Sequence, residues 1–110
     1  MDVVIKPYSI WLVDLNPTKG HEISKMRPCV VVSPDSMNNT LKTVLIAPLT
    51  STIRSSPFRI HSSLEGKSGQ VALDQIRCVD KVRLVKKLGQ LTESEARQVA
   101  DVLVEMFVWE

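Results

Sequence analysis

Asp14-Leu15-Asn16-Pro17-Thr18-Lys19-Gly20-His21-Glu22-Ile23-Ser24-Lys25-Met26-Arg27-Pro28-Cys29-Val30-Val31-Val32-Ser33 is a polar, titratable stretch set between apolar runs. Ahead of it, residues 10–15 hold Trp11 and Val13 and end at Asn16-Pro17, a pair that halts a strand and begins a turn. At its far end, residues 29–33 carry three consecutive valines before Pro34, the pattern of a strand buried on both faces. The stretch therefore reads as a loop over residues 17–28 held by two strands. Such loops commonly carry function, and this one holds Lys19, His21, Glu22, Lys25 and Arg27.

Working outward, residues 35–40 are polar and predict one helical turn begun by Asp35 or Ser36. Residues 44–49 are apolar enough for a buried strand, weakened near its end by Pro48, and they deliver Thr50-Ser51-Thr52 at the terminus. Residues 58–61 alternate at period two, as a half-exposed strand does. Residues 62–69, with Gly66 and Gly69, read as a loop. Residues 70–79 read as one long strand bent near Asp74-Gln75, and residues 86–90 as a short final strand.

The clearest helix comes last. Thr92-Glu93-Ser94-Glu95 fits a capping box, and Ala96, Val99, Ala100, Leu103 and Phe107 recur as a core-facing stripe, with Arg97, Asp101 and Glu105 toward water. Val102, Val104, Met106, Val108 and Trp109 widen the apolar arc beyond what one sheet needs. A second contact, most simply a homodimer, or a well-covered terminus accounts for the excess. Five to seven strands and a late helix predict a compact barrel-like β domain of the all-β or α+β kind.

A length of 110 residues fits one domain, 1–110. The apolar fraction of 44% and charged fraction of 24% are those of a folded chain rather than a disordered one. A net charge of +2 permits an anionic partner without requiring one. Cys29 and Cys78 lie in apolar runs without ligand spacing and read as buried free thiols. His21 and His61 share no metal motif, so no metal site and no cofactor are expected. Without a signal peptide or a membrane-spanning run, the chain reads as cytoplasmic.

The loop residues alone leave two readings open. In one, Arg27 and Glu22 form a surface ion pair worth ~0 to 1 kcal/mol and the lysines are solvated. In the other, the planar guanidinium of Arg27, leaving from a point fixed by Pro28, holds a phosphate bidentately. The strand-end hydroxyls at 50–52 likewise either satisfy local backbone groups or serve a ligand. There is no glycine-rich phosphate cradle, no carboxylate cluster at metal spacing and no nucleophilic Ser or Cys in a recognised setting. An enzyme built from these parts needs chemistry that asks little of the protein. RNA cleavage meets that condition, because the substrate's 2′-hydroxyl is the nucleophile.

The run from Ile10 through Glu22, then Arg27-Pro28-Cys29-Val30-Val31-Val32-Ser33-Pro34, Ala47-Pro48-Leu49-Thr50-Ser51 and Asp74-Gln75-Ile76-Arg77, resembles the MazF/PemK family of toxin endoribonucleases over nearly the whole chain. The resemblance implies an SH3-like or CcdB-like small β-barrel with a C-terminal helix. It also implies a homodimer, an acidic cognate antitoxin of the MazE/PemI kind, and metal-independent cutting of single-stranded RNA at short sequences. The products would be a 2′,3′-cyclic phosphate and a 5′-hydroxyl.

The family's catalytic arginine falls on Arg27, its threonine on Thr50 and its loop glutamate on Glu22. Some relatives carry a histidine just before the arginine; Met26 stands there, which leaves the general base open. His21 is either an RNA contact or a solvated residue. Lys19, Ser51, Arg54, Gln75 and Arg77 are further candidates for the RNA path, although Arg77 can instead pair with Asp74 or Asp80 and Gln75 can close a strand bend. Lys81, Arg83, Lys86 and Lys87 form either a solvated face or a landing place for the antitoxin. The alternatives are a non-enzymatic poison of DNA gyrase sharing the barrel, as in the CcdB proteins, and a barrel that binds RNA or protein without cutting. The Arg27 and Thr50 matches favour the nuclease.

Overall fold

Alternation along the strands sets the architecture, because neighbouring residues on the central strands belong to two different cores. The computed structural model describes residues 3–17, 19–22 and 25–109. Its strands are β1 (Ser9–Asp14), β2 (Met26–Val31), β3 (Thr43–Thr50), β4 (Arg59–Leu64), β5 (Lys67–Ala72), β6 (Arg77–Asp80) and β7 (Leu84–Gln90). A short helix α1 (Asp35–Asn38) follows β2, and α2 (Glu93–Met106) closes the chain. The strands pair antiparallel in the order β4-β5-β3-β2-β1-β7, with β6 added to β3. A side-chain carbon at Gly89 on β7 would lie 3.7 Å from Leu64 Cδ1 on β4, so the two ends of the sheet curl toward each other. The fold is mainly β, a curled half-barrel with one C-terminal helix.

Trp11, Val13, Cys29, Val31, Val44, Ile46 and Val79 fill one core, while Ile10, Val30, Ala47, Leu49, Ile60 and Val71 fill the other. Burial of both faces explains the consecutive valines of β2. The helix α2 covers the second core with Val99, fully buried, and with Ala96, Val102, Leu103 and Met106. Its capping box is present: Thr92 Oγ1 accepts from the Glu95 amide at 3.2 Å, and Glu95 Oε1 accepts from the Thr92 amide at 2.9 Å. Phe107 departs from the expected stripe. It lies past the last helical turn and is 71% exposed, beside Val108 and Trp109, which are also exposed.

Several boundaries differ from the sequence reading, each for a physical reason. Strand β2 begins at Met26, so Arg27 and Pro28 belong to a strand rather than to the loop. Pro28 is tolerated there because β2 pairs with β3 only from Cys29 onward. Alternation from Val32, whose amide is given to Leu45, turns the Pro28 nitrogen to that unpaired side. Pro48 is accommodated similarly, since β3 pairs with β6 up to Ile46 and with β5 from Leu49. The proline falls in the gap between the two ladders.

Residues 62–69 are a hairpin and not a loop. Glu65 (φ 52°) and Gly66 (φ 79°) form its two-residue turn, a conformation that matches the twist of the flanking strands. The expected long strand over 70–79 is broken at Leu73–Gln75 by a 3₁₀ turn, which moves the chain from the β5 ladder to the β6 ladder on the same strand β3. Cys78 is exposed because β6 is a short edge strand that turns only Val79 inward. Helix α1 starts as expected, although Pro34 is the residue at its N-cap and no side chain caps it. Among the described residues, no helix is long and apolar enough to cross a membrane.

Candidate active site

The register of β2 against β3 brings the two central site residues together. Cys29 pairs with Pro48, the last pair of that ladder. Arg27 lies two residues before Cys29 and Thr50 two residues after Pro48, so both stand just past the end of that ladder. Arg27 is also fixed from the other side by its pairing with Val13, and Thr50 by its pairing with Gln70. Both side chains line two adjoining depressions.

Thr50 is 7% exposed, and its Oγ1 accepts the Thr52 amide at 3.1 Å. That bond satisfies the local backbone yet uses only a lone pair, so the hydroxyl can still donate. The next segment is tied down by Gln70, whose Oε1 accepts from the Arg54 amide and whose Nε2 donates to the Arg54 carbonyl, both at 3.0 Å. Gly69 permits the close approach of β5: a Cβ there would lie 2.8 Å from the Thr50 carbonyl oxygen.

The first depression, about 300 Å³, contains Ser51 as well as Arg27 and Thr50. The second holds His21, Arg54 and Gln75 beside the same pair, with Arg59 and Asp74 on its far wall. The third continues from Asp74 and Gln75 to Glu22, Pro48 and Arg77. The second and third share Asp74 and Gln75 and form a polar groove, and the more apolar first depression adjoins it at Arg27 and Thr50. Lys19 lies outside all three, although its amide donates to Glu22 Oε1 and its carbonyl accepts from the Glu22 amide, each at 3.2 Å.

Sequence reasoning missed Arg59. Its Nε and Nη2 hold the two carboxylate oxygens of Asp74 at 2.6 and 2.9 Å, and its side chain is 7% exposed. The hydrogen bond from Arg59 holds the Asp74 carboxyl below its ordinary value. Asp74 is therefore committed to Arg59, and Arg77 turns elsewhere, donating from Nη1 to the Leu15 carbonyl at 3.3 Å. Arg83 Nη1 reaches the neighbouring carbonyls of Asp14, at 3.0 Å, and Asn16. These two arginines fasten three consecutive carbonyls at the base of the loop. Lys25 closes the other side, with its carbonyl on the Leu15 amide and its amide on Asn16 Oδ1, both at 3.1 Å.

Beneath this base lies Cys29, whose thiol burial pushes up to about 12 while Arg27 and Arg77 pull it down. Among the described residues, no group of three or more His, Cys, Asp or Glu side chains is placed to hold a metal ion. The arrangement can bind an anion at Arg27 and donate to it from Thr50.

Residues 6–107 match the family model described as the PemK-like, MazF-like toxin of type II toxin–antitoxin systems. The chain belongs to this PemK/MazF toxin family. The crystal structure of MazF from Deinococcus radiodurans is similar at a TM-score of 0.85 and 25% identity, over 98% of this chain and 100% of that one. A MazE-MazF structure from the same organism gives a TM-score of 0.80 at 25% identity, covering 99% and 100% of the two chains. A mycobacterial endoribonuclease in complex with its cognate antitoxin shares the fold at a TM-score of 0.80 and 21% identity, over 97% and 100%. The curled sheet and late helix are therefore those of a PemK/MazF toxin.

Proposed function

We propose that this chain is the endoribonuclease toxin of a toxin–antitoxin pair, cutting single-stranded RNA at short sequences without a metal. Membership in the family supports the broad activity. The observation that carries the mechanism is the juxtaposition of Arg27 and Thr50 just past the end of the β2–β3 ladder, where the two depressions adjoin.

In this scheme the 2′-hydroxyl oxygen of the substrate attacks the adjacent phosphorus, and the 5′-oxygen of the next nucleotide departs, taking a proton from water. The products are a 2′,3′-cyclic phosphate and a 5′-hydroxyl. Charge builds on the non-bridging oxygens as the phosphorane forms. Arg27 meets that charge with a guanidinium that stays protonated, and Thr50 donates its hydroxyl to the same phosphate. Holding the groups in line supplies much of the remaining advantage.

Glu22 takes the proton of the 2′-hydroxyl. Of the other two carboxylates along the depressions, Glu65 sits at the β4–β5 turn and Asp74 is a poor base because Arg59 holds both its oxygens and lowers its pKa. His21, Ser51, Arg54 and Gln75 line the path of the strand, and Lys19 adds charge near the loop. Arg77 serves the same path at its far end, while its bond to Leu15 steadies the loop.

The partner is an acidic antitoxin, drawn by Lys81, Lys86 and Lys87. The exposed Val104, Phe107, Val108 and Trp109 give a second copy of the chain an apolar contact. The test is incubation of the purified protein with single-stranded RNAs of varied sequence in EDTA, followed by end-group analysis. Cut products with cyclic phosphate and 5′-hydroxyl ends are expected. RNA left intact would overturn the reading, and intact RNA with inhibited DNA supercoiling would favour a gyrase poison.

A further inference from the structure

The hydroxyl of Ser62 is out of place. Ser62 is 1% exposed, and among the described residues its Oγ is the buried side-chain polar atom that has no hydrogen-bond partner. It stands on the inward face of β4 between Ile60 and Leu64, where the period-two pattern calls for an apolar side chain. Leaving a buried hydroxyl unmade costs stability, and alanine would fit the same position without that cost. A buried donor kept without a partner calls for an explanation outside the fold itself.

Ser62 belongs to the lining of the depression of about 300 Å³ that opens beside Arg27 and Thr50. Leu49, Leu64 and Leu88 give that depression apolar walls, and Lys67 and Ser68 place polar groups around it. This combination suits a flat ring with an apolar face and a hydrogen-bonding edge. Its position next to the anion-binding pair suits a ring joined to a phosphate.

We infer that this depression is a subsite for one unstacked nucleobase adjoining the cut phosphate, with Ser62 hydrogen-bonding the base edge and so setting which base is accepted. The inference rests on the RNA-cutting reading above. Single-stranded RNA offers bases that can be splayed out and read on their edges. The Ser62 hydroxyl can donate or accept. The walls of the depression, by fixing where a base edge falls, therefore decide which base pairs with it, and bases that leave it unpaired are disfavoured. Apolar contact with the three leucines then supplies affinity for any base, and Ser62 supplies the choice among them.

The test uses the wild-type protein and Ser62→Ala. First, each of the four nucleoside 3′-monophosphates is titrated while the backbone amide resonances are followed by NMR. The signals of Ser62, Ser68 and Gly69 should shift, with one base bound about tenfold more tightly than the next. Ser62→Ala should level that preference while its Tm stays at or above that of the wild type, which excludes unfolding as the cause. Second, cleavage ends mapped over a pool of RNAs should lose base preference at one position beside the cut in Ser62→Ala and keep it at the others. Binding without preference, shifts confined to other residues, or a preference unchanged in Ser62→Ala would each overturn the subsite. If the wild type cuts no RNA, the enzymatic reading fails, while the nucleotide titration still decides the subsite.

Discussion

Two regions of the groove are built differently. Arg27 and Thr50 sit on strands, each held by ladder pairs to a neighbour that is itself in the sheet. His21 and Glu22 sit on a loop held, among the described residues, by two bonds between Lys19 and Glu22 together with the clamp at its base. Groups that must meet developing charge to within a fraction of an ångström belong on rigid elements. Groups that follow a flexible polynucleotide can ride on a loop. The contrast assigns stabilisation of the phosphate charge to the strand pair, and the 2′-hydroxyl proton together with contacts along the RNA strand to the loop.

The contrast is broken most severely by disturbing the strand pair without touching its side chains. Gly69→Ala forces a methyl to within 2.8 Å of the Thr50 carbonyl, so β5 and the end of β3 must separate. A displaced Thr50 should lower kcat by up to about 10²-fold, the scale of a 1 Å misplacement, with KM little changed. Unaltered turnover in this variant would mean that the position of Thr50 does not matter.

A smaller effect should come from the loop base. Arg83→Ala removes the donor shared by the Asp14 and Asn16 carbonyls and should cost at most about 1.5–3 kcal/mol of stability. Its kinetic signature should be a raised KM, with kcat also lowered because Glu22 rides on this loop, but less than in Gly69→Ala. Steady-state rates on one RNA check this, and a fall in kcat alone would blur the division between the two regions.

The smallest effect concerns the far wall of the groove. Asp74 has its pKa lowered from 3.8 by Arg59, so the pair stabilises the fold fully above that value and the benefit fades as pH falls through the lower folded value. Asp74→Asn should therefore be less stable than the wild type near neutral pH, since it leaves the mostly buried Arg59 without its carboxylate. The difference in Tm should shrink on acidification below 3.8. A gap that widens in acid would show that the pair does not titrate as described.

Much of this was legible in the sequence wherever a local rule governs. The capping box at Thr92 and Glu95 is a four-residue pattern, and the consecutive valines of β2 announce burial on both faces. The roles of Arg27 and Thr50 came from family resemblance, while their apposition depends on the register between two strands. The hairpin at Glu65-Gly66 went unread because Glu-Gly lacks the Asn-Gly or Asp-Gly signature, although both residues take positive φ. Missing that hairpin hid the roles of four residues at once. Arg59 and Asp74 meet only when β4 and β5 fold back, Ser62 turns inward only as part of a strand, and Gly69 matters only because Thr50 approaches it. Cys78 and Phe107 were misjudged because apolar context in sequence does not reveal an edge strand or the end of a helix.

The central claim is that Arg27 and Thr50 act together on one phosphate. A double-mutant cycle of single-turnover cleavage in EDTA, with Arg27→Ala, Thr50→Val and the double variant, tests it most directly. Arg27→Ala should lose roughly 10²–10³-fold in rate, and the double variant should lose scarcely more, because groups serving one transition state are strongly non-additive. Losses that simply multiply, or an Arg27→Ala protein that cuts at the wild-type rate, would contradict the account.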